Sequence, residues 1–320
     1  MKGSLFAAEY VRAPDQAARD ALVLDAVFAK DAWLRWPSVV VNVEAGGHTY
    51  GLIVACDYFA IGEADDYVRT PCNARTAQEI ADKLGFQIPN ARIVDLIWIA
   101  AATKLIPITA GDLGIALGGQ QMSGQACMQH TRAVDAQLPP GPVALRAGCK
   151  KDIIISNRLA DAPQKRPGAV EGMSYNRDGV GIYGWHLPKG SAGCQLPTLP
   201  GLCPIQGRSF AHPWSYADYS HGLRMVGKQA FVDGEPIALS TLLTDPEISK
   251  TFSDEGPLRV FRYGGPVVVG GGGSGGGGAW CQGFVECAVP PSSAPSGTAL
   301  ALGVGALVVG GAALWYGGYL

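Results

Sequence analysis

Between Gly264 and Gly278 the chain reads GGPVVVGGGGSGGGG. Such a run has almost no side chains to bury and loses more backbone freedom on folding than any other composition, so it behaves as a flexible leash. It divides the chain: a packed core has to come from the residues before it. Behind it, Trp280–Cys287 carries two cysteines, Pro290–Ser296 is a Pro/Ser spacer, and Thr298–Leu320 (TALALGVGALVVGGAALWYGGYL) contains no charged residue. About 20 apolar residues cross a bilayer, so 298–320 is predicted as a single C-terminal transmembrane helix. Trp315, Tyr316 and Tyr319 would sit at the interface. The many Gly and Ala residues suit close helix packing, and hence an oligomer, in lipid. A buried hairpin or a glycine-rich strand pair is the alternative. No Lys or Arg flanks the span, so charge does not set its orientation.

Residues 1–263 are 320-residue chain's remaining material for a globular unit, and the whole chain is 48% hydrophobic with only 16% charged residues. That is enough for a substantial core. The net charge of -2 and the lack of a basic run exclude the electrostatic footprint of nucleic-acid binding. Of eight cysteines, Cys194/Cys203 and Cys281/Cys287 are spaced to close short loops, and no CxxC marks a zinc ribbon. The N-terminus MKGSLFAAEYVRAPDQ has Glu9 and Arg12 interrupting any apolar run, so no cleavable signal peptide is read.

Pro14–Lys30 has helical apolar spacing. Ser38–Glu44 and His48–Ala60 read as strands joined at Ala45-Gly46-Gly47, the clearest hairpin in the sequence. His48 at its tip reads as an exposed turn residue. The acids of DYFAIGEADDYVRTP, Asp65 and Asp66 among them, read as caps or solvated loop residues, with a cation or an oriented arginine as the alternative partner of Asp65 and Asp66. Asn73 caps a helix over Ala74–Leu84 that Gly85 closes, and a second helix covers Ala91–Lys104. His130 falls in a short helix, and strand character resumes over Val143–Ile155 around a Lys150-Lys151-Asp152 turn. Val180–Trp185 is strand-like and delivers His186. Pro188–Arg208 reads as an irregular loop rimming a cleft. Leu223–Val226 and Gln229–Val232 flank a Gly-Lys turn, with another turn at Asp233-Gly234 and short helices beyond Ala238.

The fold expected is α+β: one globular domain with a mixed or antiparallel sheet and a few helices, plus the membrane helix. Residues 1–110 form its N-terminal part, 111–263 a His- and aromatic-rich part, 264–297 the linker and 298–320 the span.

The densest chemistry lies in FAHPWSYADYSHGLR, Phe210–Arg224, which holds two of the five histidines. Imidazole, carboxylate, phenol, hydroxyl and guanidinium groups there are those used in proton transfer, metal ligation and oxyanion binding. IYGWH adds His186 beside Trp185, and CKKDIIIS adds paired lysines. The candidate catalytic residues are His212, His221, Asp218, His186 and Lys151. The candidate substrate-binding residues are Trp185, Trp214, Tyr216, Tyr219 and Arg224. No HExxH, GxSxG or P-loop occurs, and the glycine run is too long and featureless for a phosphate cradle, which argues against a nucleotide or nicotinamide enzyme.

Taken together, DYFAIG with Asp65-Asp66, TAQEIADKLG, KKDIIIS, IYGWH, YADYSHGLR and SDEG resemble an uncharacterised family of bacterial proteins, often secreted. The resemblance covers roughly Val11–Tyr263 and implies one folded unit, without supplying an activity. The chain departs from that family in lacking an export signal and in having Cys149 where histidine is expected before the two lysines.

Two functions follow as expectations. The first is a membrane-anchored hydrolase acting on a cell-envelope polymer such as peptidoglycan, virion-associated or cellular, with a glycan or peptide as substrate and a divalent metal such as zinc as a conceivable cofactor. A protein made in the cytosol and exposed to oxidant after lysis would reconcile a tail anchor with paired cysteines. The alternative is a non-enzymatic structural or adhesive module on the same anchor. Convergence of the imidazoles on a carboxylate would favour the first.

Overall fold

The computed structural model describes residues 1–160, 179–188, 191, 194 and 202–264, together with the backbone of two-residue strands at 164–165, 174–175 and 308–309. These residues form an α+β unit in which short antiparallel sheets are covered by helices. The linker and its cysteines Cys281 and Cys287 lie outside the described residues. So does the expected span 298–320, apart from Val308–Val309, whose backbone pairs antiparallel with Val43 and Glu44. Among the described residues no helix is long and apolar enough to cross a membrane.

The sheet that carries the N-terminal half grows from the hairpin. Ser38–Ala45 and His48–Ala55 pair from Ser38↔Ala55 to Ala45↔His48. Gly46 and Gly47 have φ of 58° and 83°, the left-handed geometry a two-residue hairpin turn demands. Alternation puts Val41, Val43, Leu52 and Val54 in the core. Val226–Val232 adds to the free side of the second strand and Glu235–Ala238 to its far side. Val226–Val232 is one strand with a register irregularity, where the sequence reads a Gly-Lys turn. Gly227 and Lys228 are absorbed there because the sheet supplies hydrogen-bond partners on both flanks. His48 Nδ1 meets Asp233 Oδ2 at 2.6 Å, so the two hairpin tips clasp each other at the surface.

Helix boundaries follow local chemistry closely. α1 spans Gly3–Arg12 and α2 Gln16–Phe28, the latter capped by Asp15, whose side chain accepts from the Ala18 N–H. α3, Ala74–Leu84, starts on an Asn73 cap and stops at Gly85, which is left-handed. α4, Ala91–Ala100, starts on Asn90 and ends four residues short of the expected Lys104. α5, Gly124–Asp135, starts on Ser123. α1 is absent from the expectations, because Glu9 and Arg12 hide the buried Phe6, Ala7 and Tyr10 face.

Asp65 marks the tip of a second hairpin, Ala60–Glu63 with Asp66–Arg69. It brings Arg69 onto Asp57 in a two-pronged contact, Nε to Oδ1 at 3.0 Å and Nη2 to Oδ2 at 2.7 Å, and Arg146 adds a third bond at 2.8 Å. Burial alone would raise the Asp57 pKa, but the two guanidinium groups outweigh it and hold the carboxyl near about 2. This ion cluster ties the hairpin to the segment that leads into the site.

The second sheet runs Pro204–Ser209, Ile182–His186, Lys151–Ile153, His221–Gly222. The first three are antiparallel and the last pairs parallel. Pro204–Ser209 is therefore strand where a loop is expected. Cys203, just before it, is disulfide-bonded to Cys194, while Cys56, Cys72, Cys127 and Cys149 are free and buried. α4 packs on Ile182–His186 by stacking Trp98 on His186, with ring centres 5.3 Å apart.

Candidate functional site

The site forms where the Phe210–Arg224 stretch meets the paired lysines. His221 aligns with Lys151 and Gly222 with Asp152 in the parallel pairing, fixed further by Lys151 N–H to the Ser220 carbonyl at 2.7 Å. Only glycine fits at 222, since a Cβ there would come within 2.7 Å of Lys150 Cβ and Tyr58 Cδ1. Just upstream, the Asp218 carboxylate closes a tight local turn, accepting from the Ser220 N–H at 2.8 Å and its hydroxyl at 2.5 Å. The Tyr216 hydroxyl donates to the other carboxylate oxygen at 3.2 Å. Tyr216 stacks on His212, ring centres 4.0 Å apart, and turns its edge to His221 at 5.5 Å. His212, Tyr216, Asp218, His221 and Lys151 thus come together. They run from half-buried His212 and Tyr216 inward to fully buried His221.

Charge in this cluster is unevenly distributed. Burial pushes the Asp218 pKa up, but His221, Lys151 and the Ser220 hydrogen bonds bring it down to about 2, so it is an anion at neutral pH. Burial lowers His221 to about 4 despite Asp218, so its ring is neutral. Neither ring nitrogen of His221 has a hydrogen-bond partner among the described residues. A buried polar group in that condition costs about 1–3 kcal/mol. Burial also lowers the pKa of half-buried His212. The Lys151 ammonium rests 4.6 Å from the centre of the Trp185 ring. Trp185 has φ of 55°, a region bulky residues rarely enter, and its indole N–H donates to the Cys149 carbonyl at 3.1 Å. Strain of that kind costs about 1–3 kcal/mol and persists where surroundings over-determine it, commonly at functional sites.

Two residues that the sequence reading passed over complete the interior wall. Lys150 is fully buried, donates to the Tyr219 carbonyl at 2.6 Å, and burial lowers its pKa to about 8. His130 of α5 is fully buried, tilted against the Tyr219 ring at 5.1 Å, and neither nitrogen makes a well-formed hydrogen bond. Burial, aided by Lys150, pushes its pKa well below the usual value. The signal for His130 was present: Cys127, His130, Thr131 and Val134 form the buried stripe of α5, and an imidazole on an apolar stripe calls for a reason. Lys150 was hidden because adjacent lysines usually read as a solvated turn.

The remaining candidates go elsewhere. His186 binds Asp95, Nε2 to Oδ1 at 2.9 Å, and Tyr183 donates to the same oxygen at 2.8 Å, behind the sheet from the Asp218 cluster. Arg224 spends its guanidinium on the carbonyls of Ala55 and Arg146 and lies 3.9 Å over the Tyr58 ring, with Asp152 3.8 Å away. Asp152 also accepts from the Tyr58 hydroxyl at 2.9 Å, and burial raises its pKa to about 6. Arg224 therefore braces the strand that carries Lys151, while His186 ties its own strand to α4. Tyr219 is buried against His130. Trp214 is 37% exposed at the outer lip. His48 stands apart on its hairpin tip.

No family model, characterised protein or solved structure shows a significant match to the chain. Among the described residues no group of three or more His, Cys, Asp and Glu side chains is placed to hold a metal ion. Cys149 is a buried thiol that burial pushes to about 12, so it remains protonated.

Proposed function

We propose that the chain is a hydrolase acting on a cell-envelope polymer such as peptidoglycan, with His221 and Asp218 as its proton-transfer pair. The observation that carries this reading is the neutral, fully buried His221 ring, without a hydrogen-bond partner among the described residues, beside an ionised Asp218. For a water admitted to the buried ring together with the substrate, a neutral imidazole takes the proton and the carboxylate beside it stabilises the imidazolium that forms. The same ring then returns the proton to the leaving group. Lys151 is the cation available to meet negative charge developing on the substrate. The stacked His212–Tyr216 pair and exposed Trp214 offer flat faces for a sugar or peptide. In this reading the tail, 298–320, anchors the domain to a cellular or virion membrane and the glycine leash lets it search nearby polymer.

The test is release of soluble fragments from purified peptidoglycan by the full chain. His221→Ala and Asp218→Asn, confirmed folded by circular dichroism, are expected to lose at least about a hundredfold in rate. Unchanged turnover in either rejects the pair. The exposed Trp214 beside the His212–Tyr216 stack also favours a second reading, a non-enzymatic structural or adhesive module. Polymer binding by wild-type chain without any fragment release, lost in Trp214→Ala, would establish that reading instead.

A further inference from the structure

We infer that the Lys151 ammonium, seated on the Trp185 ring, recognises a carboxylate on the substrate. The inference deepens the hydrolase reading by giving the substrate a charge. The other cations of this region are already engaged. Arg69 and Arg146 hold Asp57, Arg224 holds two backbone carbonyls, Lys150 holds the Tyr219 carbonyl, and Arg208 holds Asp254 and Glu255. Lys151 differs. It is half-buried and beside Asp218 in charge, yet no oxygen among the described residues accepts a hydrogen bond from it.

An ammonium has three N–H donors, and an aromatic face satisfies its charge without using them all. Trp185 is not there by default: its backbone is held in a left-handed conformation and its indole N–H is tied to Cys149, so the ring is a fixed seat. A fixed seat holds the ammonium in one place and lowers the ordering cost of binding an oxyanion.

The proposed substrate selects the oxyanion. Asp218 offsets the charge of Lys151, so what a ligand gains here is hydrogen bonds from the ammonium rather than a net positive field. The oxyanions that a peptidoglycan polymer offers are carboxyl groups. A carboxylate is therefore the class expected, such as the free carboxyl groups of a peptidoglycan stem peptide.

The experiment titrates the full chain, by calorimetry and by Trp fluorescence, with a soluble disaccharide-peptide fragment of peptidoglycan and with the same fragment carrying amidated carboxyls. The free-acid form is expected to bind at least about tenfold tighter, the scale of one charge-assisted hydrogen bond. Lys151→Met should erase that difference and Lys151→Arg should preserve most of it. Equal binding of the two fragments, binding of neither, or an undiminished difference in folded Lys151→Met overturns the inference. Fragment cleavage is scored separately. Cleavage with equal binding rejects carboxylate recognition alone. Carboxylate-dependent binding without cleavage rejects the hydrolase alone.

Discussion

His221 and Lys151 are register partners in a parallel strand pairing only two residues long. Their charges are set against each other: Asp218 favours the imidazolium, while Lys151 and burial disfavour it, and the ring ends neutral with its pKa near about 4. The pairing is braced from behind by Asp152, Tyr58 and Arg224, none of which contacts the His221 ring.

The unpartnered His221 ring leads to a prediction about stability. Replacing a buried group that makes no hydrogen bond by an apolar one of similar size removes a desolvation cost of about 1–3 kcal/mol. His221→Leu is expected to match or exceed wild type by up to about 1 kcal/mol in urea unfolding, and to abolish the hydrolysis proposed above. A loss above about 2 kcal/mol would mean that the ring is structurally bonded.

The pH dependence follows from two depressed values. Unfolded, His221 titrates near 6.5; folded, near about 4. As pH falls through that window the unfolded chain binds the proton first, so stability falls. Asp152, raised from 3.8 to about 6, acts in the opposite sense, because the folded chain binds its proton first. The difference between wild type and His221→Leu isolates the histidine, and the leucine variant should gain relative stability from pH 6.5 down to pH 4. Lys150 is lowered from 10.5 to about 8, so its burial penalty is present below 8 and is relieved as pH rises towards 10.5. Any advantage of Lys150→Met over wild type should shrink across that alkaline range. Chemical denaturation at stepped pH measures both.

Asp57 holds two buried guanidinium groups. Asp57→Asn leaves Arg146 without its carboxylate and Arg69 with Asp135 alone, and the expected destabilisation is about 3–5 kcal/mol. Retention of wild-type stability in urea unfolding would contradict the ion cluster.

Gly222 is a steric test of the pairing itself. Gly222→Ala pushes a methyl to 2.7 Å from Lys150 and Tyr58 and is expected to cost about 1–3 kcal/mol, and to weaken the proposed activity as Lys151 shifts from His221. Gly207→Ala, where a Cβ meets nothing within 4 Å, serves as the control and should be neutral or stabilising by about 0.4–1 kcal/mol.

Much of the fold was legible because it is local. Asn73 and Gly85 bracket α3, and Gly46-Gly47 places the first hairpin, since caps and turns act through residues next to them. The second hairpin at Asp65, α1, and the continuous Val226–Val232 strand were not legible. Each is stabilised by partners far along the chain: Asp135 and Asp57 for Arg69, α5 for α1, and the His48–Ala55 strand for Val226. The stretch Phe210–Arg224 marked the neighbourhood of the candidate cluster in which His212, Tyr216, Asp218 and His221 meet. It did not separate His221 from His186, because a histidine beside an aromatic looks the same whether its ring meets Asp95 or stands alone.

The amino-acid sequence by itself determined where several helices start and stop and which strands alternate. Those properties depend on side chains within a turn or two of each other. The tertiary structure alone decided that Lys151 lies beside His221, that Trp185 seats the Lys151 ammonium, and that His130 and Lys150 close the inner wall. Such neighbours are set by sheet register and by burial from separate elements, and no spacing along the chain encodes which solvent-excluded surfaces meet.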